Sequence, residues 1–404
     1  MGPFGDEGRG RRMGSARASG TTGGGPLTGV RIVEIAGLGA GPFCAMMLAD
    51  MGADVVRVDR TTSAGDAGIL GRNRRSIAID LKSDPGRSLL FELIRRADGL
   101  VEAFRPGVAE RLGFGPVACH AENPSLVYGR ATGWGQDGPW RTMAGHDINY
   151  IALSGVLSMV GPKGVAPVPP LNLVGDFGGG GMLLAFGMVC AMLEARTSGE
   201  GQVVDGAMVD GSALLATMFF ELSARGRWSD ERGVNVLDGG APYYDTYETA
   251  DGKWVAVGAV ESQFWGALVE LLGIGGPDLP DQADVATWPA LRGRIAAAIA
   301  TRTRDEWGAL AEGTDTCITP ILTLGEVHDH PHHRQRESFV MVGDSLQPAP
   351  APRFSRTVPR PPAPAPAVGS DAHAVLADWG LSEKETSGYE ASGAFGRASR
   401  ATDD

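Results

Sequence analysis

Two apolar runs on either side of an apolar helix constrain the fold more than any other feature of the chain. GVRIVEIA (29–36) and DVVRVDR (54–60) are typical of buried strands, and GPFCAMMLADMGA (41–53) between them predicts a helix. Pro42 near the start of this helix and Gly52 near its end follow the usual preferences of helix termini. A strand, a helix and a second strand of this length form a βαβ unit, which implies a parallel sheet.

The alternation of strands and helices continues and then changes after residue 230. Further strands are predicted at 76–81 (SIAIDL), GLVEAF, SLVYGRATGWG and QVVDGAM, with helices at GRSLLFELIRRA, 147–160 and 179–197. YYDTYETA and KWVAVGAV then predict a hairpin around Asp251–Gly252, followed by helices at 262–273, 289–300 and 304–312. A chain of 404 residues exceeds the usual limit of one core. The predicted fold class is therefore α/β, with a parallel-sheet large domain and a smaller α+β domain.

The domain boundaries follow from these changes in pattern. A Pro-rich stretch from Gln347, QPAPAPRFSRTVPRPPAPAPAVG, is typical of a surface strap with polyproline character. The predicted segments are a disordered extension (1–25), the large domain (26–205), a linker (206–236), the small α+β domain (237–330), a segment returning to the large domain (331–380) and a disordered tail (381–404).

Composition and charge exclude several classes of function. A net charge of −12 disfavours nucleic-acid binding, and no run of 18 apolar residues predicts a membrane span. The N-terminus lacks the hydrophobic stretch of a secretory signal, so we expect a cytoplasmic protein. The cysteines form no metal-binding pattern, and we predict that Cys44 and Cys190 are buried in apolar helices. HDHPHH at 328–333 resembles a metal tract only in composition, and we predict no metal site.

Basic residues concentrate in the first third of this acidic chain. Such a local excess suits a phosphorylated ligand. The residues are Arg60, Arg72, Arg74, Arg75, Lys82, Arg105 and Arg111.

Two Gly-flanked motifs carry the candidate acid–base groups. AGHDINY places His146 and Asp147 side by side before a helical pattern, and VGDFGGGG places Asp176 before another, 29 residues after Asp147. An imidazole titrates near neutral pH, and a carboxyl joins it when burial raises its pKa. Such a pair suits removal of a proton from one face of a carbon atom and its return to the other. The alternative roles are structural, with Asp176 as a helix N-cap and His146 as a surface residue.

Long motifs in the first half of the chain resemble the class III CoA-transferase family, and most of all its racemases of α-methylacyl-CoA thioesters. They are LTGVRIVEIAGLGAGPFCAMMLADMGADVVRVDR, RNRRSIAIDLKSD, FRPGVAERLGFGP and AGHDINY. The resemblance runs from about Pro26 to about Arg356. It implies a Rossmann-like large domain and an interlocked homodimer. It also implies an acyl-CoA substrate and no tightly bound cofactor, with CoA present only as part of the thioester.

The resemblance also implies residue roles. His146 and Asp176 are the expected bases, Asp147 the partner that orients His146, and Glu261 a further support that reaches the site from the other subunit. The expected CoA contacts are Arg60, Ile79, Asp80, Leu81, Lys82, Ala103 and Arg111, with Gly145, His146, Asp147, Ile148, Asn149 and Tyr150 along the pantetheine and thioester.

Three other interpretations stay open at the level of sequence. A class III CoA-transferase would use Asp176 as a nucleophile and would need no base at His146. A NAD-dependent oxidoreductase would use Gly37, Gly39 and Asp59, but GxGxxG requires a glycine where Pro42 stands. A non-catalytic CoA-binding scaffold would leave the two candidate bases without a joint purpose.

Overall fold

A six-stranded parallel sheet forms the centre of the molecule. The computed structural model describes residues 24–396. The strand order is β3-β2-β1-β4-β5-β6, so the chain winds outward on one side of β1 and then on the other. The strands are β1 (Arg31–Ile35), β2 (Asp54–Asp59), β3 (Arg75–Ala78), β4 (Gly99–Glu102), β5 (Val127–Thr132) and β6 (Val203–Ala207). This doubly wound order places a switch point between β1 and β4, the usual location of a ligand in such sheets.

Helices cover both faces of the sheet. Alternate residues of β1 face opposite ways, with Ile32 in one apolar core and Val33 in the other. The helices are α1 (Ala40–Asp50), α2 (Asp84–Ile94), α3 (Val108–Arg111), α4 (Pro116–Glu122), α5 (Asp147–Leu153), a π-helix (Leu173–Met182), α6 (Leu183–Ser198), α7 (Met208–Leu215), α8 (Thr217–Ala224), α9 (Ser262–Leu272), α10 (Trp288–Ile299), α11 (Arg304–Ala311), α12 (Pro331–Arg336), α13 (Ala372–Asp378) and α14 (Glu383–Ala391). Short 3₁₀ turns lie at Ile69–Gly71, Val156–Met159, Val285–Thr287 and Val327–Asp329.

A second core lies in the part of the chain with the hairpin. β7 (Tyr244–Glu248), β8 (Trp254–Gly258) and β9 (Ile318–Pro320) form an antiparallel sheet in the order β7-β8-β9. The predicted turn is present, with Gly252 at φ +71°. α9, α10 and α11 pack on this sheet through buried Trp265, Trp288 and Trp307.

The chain after the second core returns to the parallel sheet. β10 (Phe339–Val342) and β11 (Ser345–Pro348) form an antiparallel hairpin, and Arg72 donates to the Pro348 carbonyl over 2.8 Å. Asp371 accepts a hydrogen bond from the Ser76 backbone N–H over 2.8 Å. α13 then packs against β3 at the edge of the sheet.

Two predicted boundaries are wrong. The limit at residue 205 falls inside β6, and the predicted linker 206–236 contains α7 and α8, of which α7 packs against the π-helix. The tail predicted to be disordered contains α14, and Phe395 beyond it is only 6% exposed. Backbone contacts with residues 78–80 hold this tail, and such distant pairing leaves no local pattern. The rest of the two predicted disordered segments, 1–23 and 397–404, lies outside the described residues.

The π-helix and α6 form one continuous helix, whose outer face is exposed. The segment Leu173–Ser198 is long and apolar enough to cross a membrane by length and composition, although the sequence predicted no span. Its inner side packs on α1 and α7. The prediction that it is a core helix holds for that side only, and Cys190 is exposed rather than buried. The exposed apolar stripe consists of Met182, Phe186, Val189 and Leu193.

Candidate active site

His146 precedes the first residue of α5, where a tyrosine holds the approaching loop. Tyr150 packs beneath Gly133 and Gly145, since a Cβ at either glycine would lie 2.1 or 2.7 Å from its ring. The Tyr150 hydroxyl also donates to the Gly145 carbonyl over 2.5 Å. Asn149 accepts a hydrogen bond from the His146 backbone N–H over 3.1 Å. These contacts fix the backbone of His146 while its side chain stays exposed.

Asp176 lies inside the π-helix, four residues after Asn172. Leu173 to Gly175 before it already belong to the helix, so Asp176 is not its N-cap. The Asn172 side-chain amide donates to Asp176 Oδ2 over 3.2 Å. A Cβ at Gly39 would lie 3.6 Å from the same oxygen, so the carboxyl faces the turn between β1 and α1.

Asp147 connects the two segments that carry the candidate bases. Its Oδ2 accepts hydrogen bonds from the backbone N–H of Gly175 over 2.6 Å and of Asp176 over 2.8 Å. Within residues 24–396, no hydrogen bond or ion pair joins its carboxylate to the His146 ring. The hydrogen bonds of the carboxylate thus go to the segment that carries Asp176, and its expected role as the orienting partner of His146 stays a prediction. A partner 28 residues away was not evident from the adjacency of His146 and Asp147.

The surroundings of Asp176 favour its protonated form. Burial raises the pKa of its carboxyl above the ordinary value of 3.8, and the charge of Asp147 raises it further. The hydrogen bond from Asn172 and the charge of His146 oppose this rise in pKa. Asp147, the chain neighbour of His146, accepts the hydrogen bond of the Asp176 backbone N–H, so the segments that carry the two candidate bases are in direct contact.

The glycine turn after β1 is a packing device beside the site. A Cβ at Gly37 or Gly41 would lie 3.3 or 2.9 Å from the Ala103 side chain, so these glycines let the turn lie against the end of β4. Between them Leu38 is 91% exposed. Asp59, the residue that a dinucleotide site would use, is buried and accepts hydrogen bonds from Arg57 and Ser76.

Three of the expected CoA contacts are exposed cations. Arg60 follows β2, Lys82 precedes α2 and Arg111 ends α3, and none forms an ion pair with another residue of the described chain. By contrast, Ile79 is only 2% exposed, so its side chain has no surface to offer a ligand. The Asp80 backbone N–H donates to the Ala394 carbonyl over 3.2 Å. Ligand contact at 79–80 through the Ile79 side chain is thus excluded, because that side chain belongs to the core.

Other expected contacts differ in accessibility. Ile148 and Asn149 are exposed at the start of α5, whereas Tyr150 is 7% exposed and supports the loop from below. Leu81 is partly buried against the core. The charge of Arg105 acts on Tyr150, where it opposes the rise in pKa that burial causes. Arg105, in the FRPG motif, is an exposed cation of the basic group but is not among the CoA contacts that the resemblance implies.

Two arginines of the RNRR motif are structural. Arg72 is buried and forms an ion pair with Asp50 of α1 over 2.5 Å. Arg74 is buried against Glu34 over 2.7 Å and donates to the Pro42 carbonyl. Their inclusion in a phosphate-binding group was wrong, because both side chains stabilise α1 from within the protein.

Glu261 belongs to the part of the chain that forms the second core. It precedes α9 and is exposed; burial, and after it the charge of Glu261, raises the pKa of the Cys317 thiol. Glu261 makes no hydrogen bond or ion pair to His146 or Asp176 in the described range 24–396. In that same range no three His, Cys, Asp or Glu side chains are arranged to hold a metal ion, and in the histidine tract His330 instead accepts a hydrogen bond from the His332 backbone.

The fold and this pair of groups define a family, to which the chain belongs. The model of CoA-transferase family III matches residues 27–372. A crystal structure of a CaiB/BaiF family protein from Brucella suis superposes with a TM-score of 0.76 at 25% identity, covering 88% of this chain and 100% of that one.

Individual relatives within the family are also similar over most of their length. Alpha-methylacyl-CoA racemase of Mus musculus is 48% identical over 361 residues, covering 89% of this chain and 94% of the relative. The Homo sapiens racemase is 45% identical over 364 residues, with the same coverage of 89% and 94%. Succinyl-CoA–D-citramalate CoA-transferase of Chloroflexus aurantiacus is 32% identical over 346 residues, covering 79% and 84%.

Proposed function

We propose that this protein interconverts the (R) and (S) epimers of 2-methylacyl-CoA thioesters by moving one proton between the two faces of the α-carbon. The observation that carries the proposal is the pair of His146, which precedes α5, and Asp176, in the first turn of the π-helix, whose segments are joined by the Asp147 carboxylate. The similarity to two racemases at 48% and 45% identity supports it.

The chemistry needs a base on each face of the substrate. The thioester carbonyl acidifies the α-proton, because removal of that proton gives an enolate. One of the two groups removes the proton while the other delivers one to the opposite face, and their roles exchange in the reverse direction. Each general acid or base of this kind typically contributes about 10²–10⁴-fold in rate. A raised pKa brings the Asp176 carboxyl closer to the range in which it both donates and accepts protons.

Other groups of the chain are suited to binding the CoA phosphates and the enolate oxygen. The exposed cations Arg60, Lys82 and Arg111 have no partner in the described chain and suit phosphate groups. The first backbone N–H groups of α5 have no partner within their own helix and suit the enolate oxygen. Gly145, Ile148 and Asn149 border that position and are the proposed contacts of the thioester end.

The alternative activities fit less well. A CoA-transferase would leave His146 without a role, and the transferase from Chloroflexus aurantiacus is less similar, at 32% identity. An oxidoreductase would need Asp59 free to meet a ribose, whereas Arg57 and Ser76 already occupy that carboxylate.

A homodimer is also part of the proposal. The exposed apolar stripe along the π-helix and α6 needs a cover, and a second copy of the chain would supply it. Glu261, which makes no hydrogen bond or ion pair to the bases within the described chain, would reach those of the partner. Phe186→Glu is therefore expected to shift the protein toward monomer in sedimentation, and an unchanged mass would contradict this. The cytoplasmic location stays a prediction from the sequence.

The decisive assay separates racemase from transferase. Purified protein is incubated with (R)-2-methylacyl-CoA alone and with added succinate, and both the epimer ratio and new CoA thioesters are followed. Formation of the (S) epimer without succinate supports the proposal. Transfer of CoA to succinate without epimerisation would assign the protein to the transferases.

A further inference from the structure

The Asp147 carboxylate is buried beside Asp176 and is incompletely satisfied. The residue is 4% exposed, and both of its hydrogen bonds go to Oδ2. Its other oxygen, Oδ1, is buried and accepts no hydrogen bond within residues 24–396. No lysine or arginine of that range forms an ion pair with it. An aspartate that only stabilised the fold would be expected to have a cation or more donors, because an unpaired buried charge is costly.

The partner segment is shaped to receive this carboxylate. A Cβ at Gly175 would lie 2.7 Å from Asp147 Oδ2 and 3.3 Å from its Cα. Only glycine therefore allows the two segments to approach this closely. The hydrogen bonds then fix the backbone of Gly175 and of Asp176 itself, so that the direction of the Asp176 side chain depends on Asp147.

His146 is held by different contacts. The Tyr150 ring beneath Gly145 and the hydrogen bond between Asn149 and the His146 backbone do not involve the Asp147 carboxylate. A change at the Asp147 side chain should therefore disturb Asp176 more than His146.

We infer that Asp147 is a positioning residue for Asp176, and that it sets proton transfer on the Asp176 face of the substrate without acting on the His146 face. The inference rests on the proposed function, since it needs two bases on opposite faces. Hydrogen bonds to a charged group are typically strong, and their loss displaces Asp176 from the α-carbon.

The test measures deuterium entry from each epimer separately. In D₂O, the initial rate of α-deuterium incorporation into (R)- and into (S)-2-methylacyl-CoA is followed by NMR for the wild type, Asp147→Asn and Gly175→Ala. Asp176→Ala identifies the epimer whose exchange depends on Asp176. Asp147→Asn removes the charge and keeps the shape, whereas Gly175→Ala keeps the charge and separates the two segments.

The expected result is a selective loss. Exchange from the Asp176-dependent epimer should fall about tenfold or more relative to the other epimer in both variants, as expected when a charged hydrogen bond is lost. The matched control is Asp98→Asn, because Asp98 also accepts a hydrogen bond from a backbone N–H, that of Arg31 over 2.8 Å, at the amino ends of β1 and β4. Its ratio of the two rates should equal that of the wild type.

The outcomes separate the inference from the proposed function. Because both rates come from one sample, the folded fraction cancels in their ratio. Equal loss from both epimers in Asp147→Asn and Gly175→Ala, or no loss, would overturn the role of Asp147. Absence of exchange from either epimer in the wild type would instead overturn the racemase proposal.

Discussion

The two candidate bases have similar positions but opposite surroundings. His146 is exposed at the start of α5, and its contacts are made through the backbone. Asp176 is partly buried in the π-helix, where Asn172, Asp147 and the turn at Gly39 surround its carboxyl. A carboxyl exchanges protons near neutral pH only when its surroundings raise its pKa, and burial does this for Asp176. The fold therefore encloses the Asp176 carboxyl and leaves the His146 side chain open to solvent.

Removal of either base should have the largest effect. His146→Ala and Asp176→Ala are each expected to lower kcat for epimerisation by about 10²–10⁴-fold, because each removes one proton-transfer group. Chiral chromatography of the product measures the rate. Retention of more than a tenth of the activity by either variant would remove that residue from the mechanism.

The pH dependence should differ between the two faces. Asp176 must be ionised to remove a proton, and burial followed by the charge of Asp147 raises its pKa above 3.8. Exchange that depends on Asp176 should therefore decline with falling pH while an ordinary aspartate would still be ionised. Asp147→Asn should move this decline to lower pH, since it removes a neighbouring negative charge. A decline at the same pH in that variant would show that Asp147 does not act on the Asp176 charge.

Burial of Asp176 should also lower the free energy of unfolding at neutral pH. A raised pKa in the folded state means that ionised Asp176 destabilises the fold at neutral pH, and that protonation relieves this penalty as pH falls through the folded pKa. Asp176→Asn is therefore expected to raise the free energy of unfolding at pH 7, with a gain that shrinks toward pH 4. Urea unfolding at both pH values measures this, and a loss of stability at pH 7 would contradict it.

Substitution of a core residue far from the site should lower stability but leave the ratio of exchange rates from the two epimers unchanged. Trp379 is 1% exposed and its indole N–H donates to Asp54 over 2.8 Å at the edge of the sheet. Trp379→Ala is expected to cost about 3–5 kcal/mol in urea unfolding. The ratio of exchange rates from the two epimers should nevertheless equal the wild-type ratio. A changed ratio would mean that the two faces respond to general loosening of the fold.

Local sequence patterns were sufficient to predict the parallel sheet and the position of His146 before a helix. The βαβ unit at 29–60 carries its own apolar periodicity, and the helix after His146 follows directly from DINYIAL. These features depend on neighbouring residues, which a single sequence displays.

The features that were not predicted correctly depend on contacts between residues distant in the sequence. The π-helix around Asp176 packs against α1 and α7, and its glycines carry no periodic signal. Burial of Arg72 and Arg74 depends on Asp50 and Glu34, which lie more than twenty residues earlier.

The most direct measurement of the central claim compares deuterium entry from the two epimers in His146→Ala and Asp176→Ala. The base that remains can remove a proton from one face and return a deuteron to the same face, so each variant should keep exchange from one epimer only. The account predicts opposite epimers for the two variants. Loss of exchange from the same epimer in both variants would contradict a site with one base on each face.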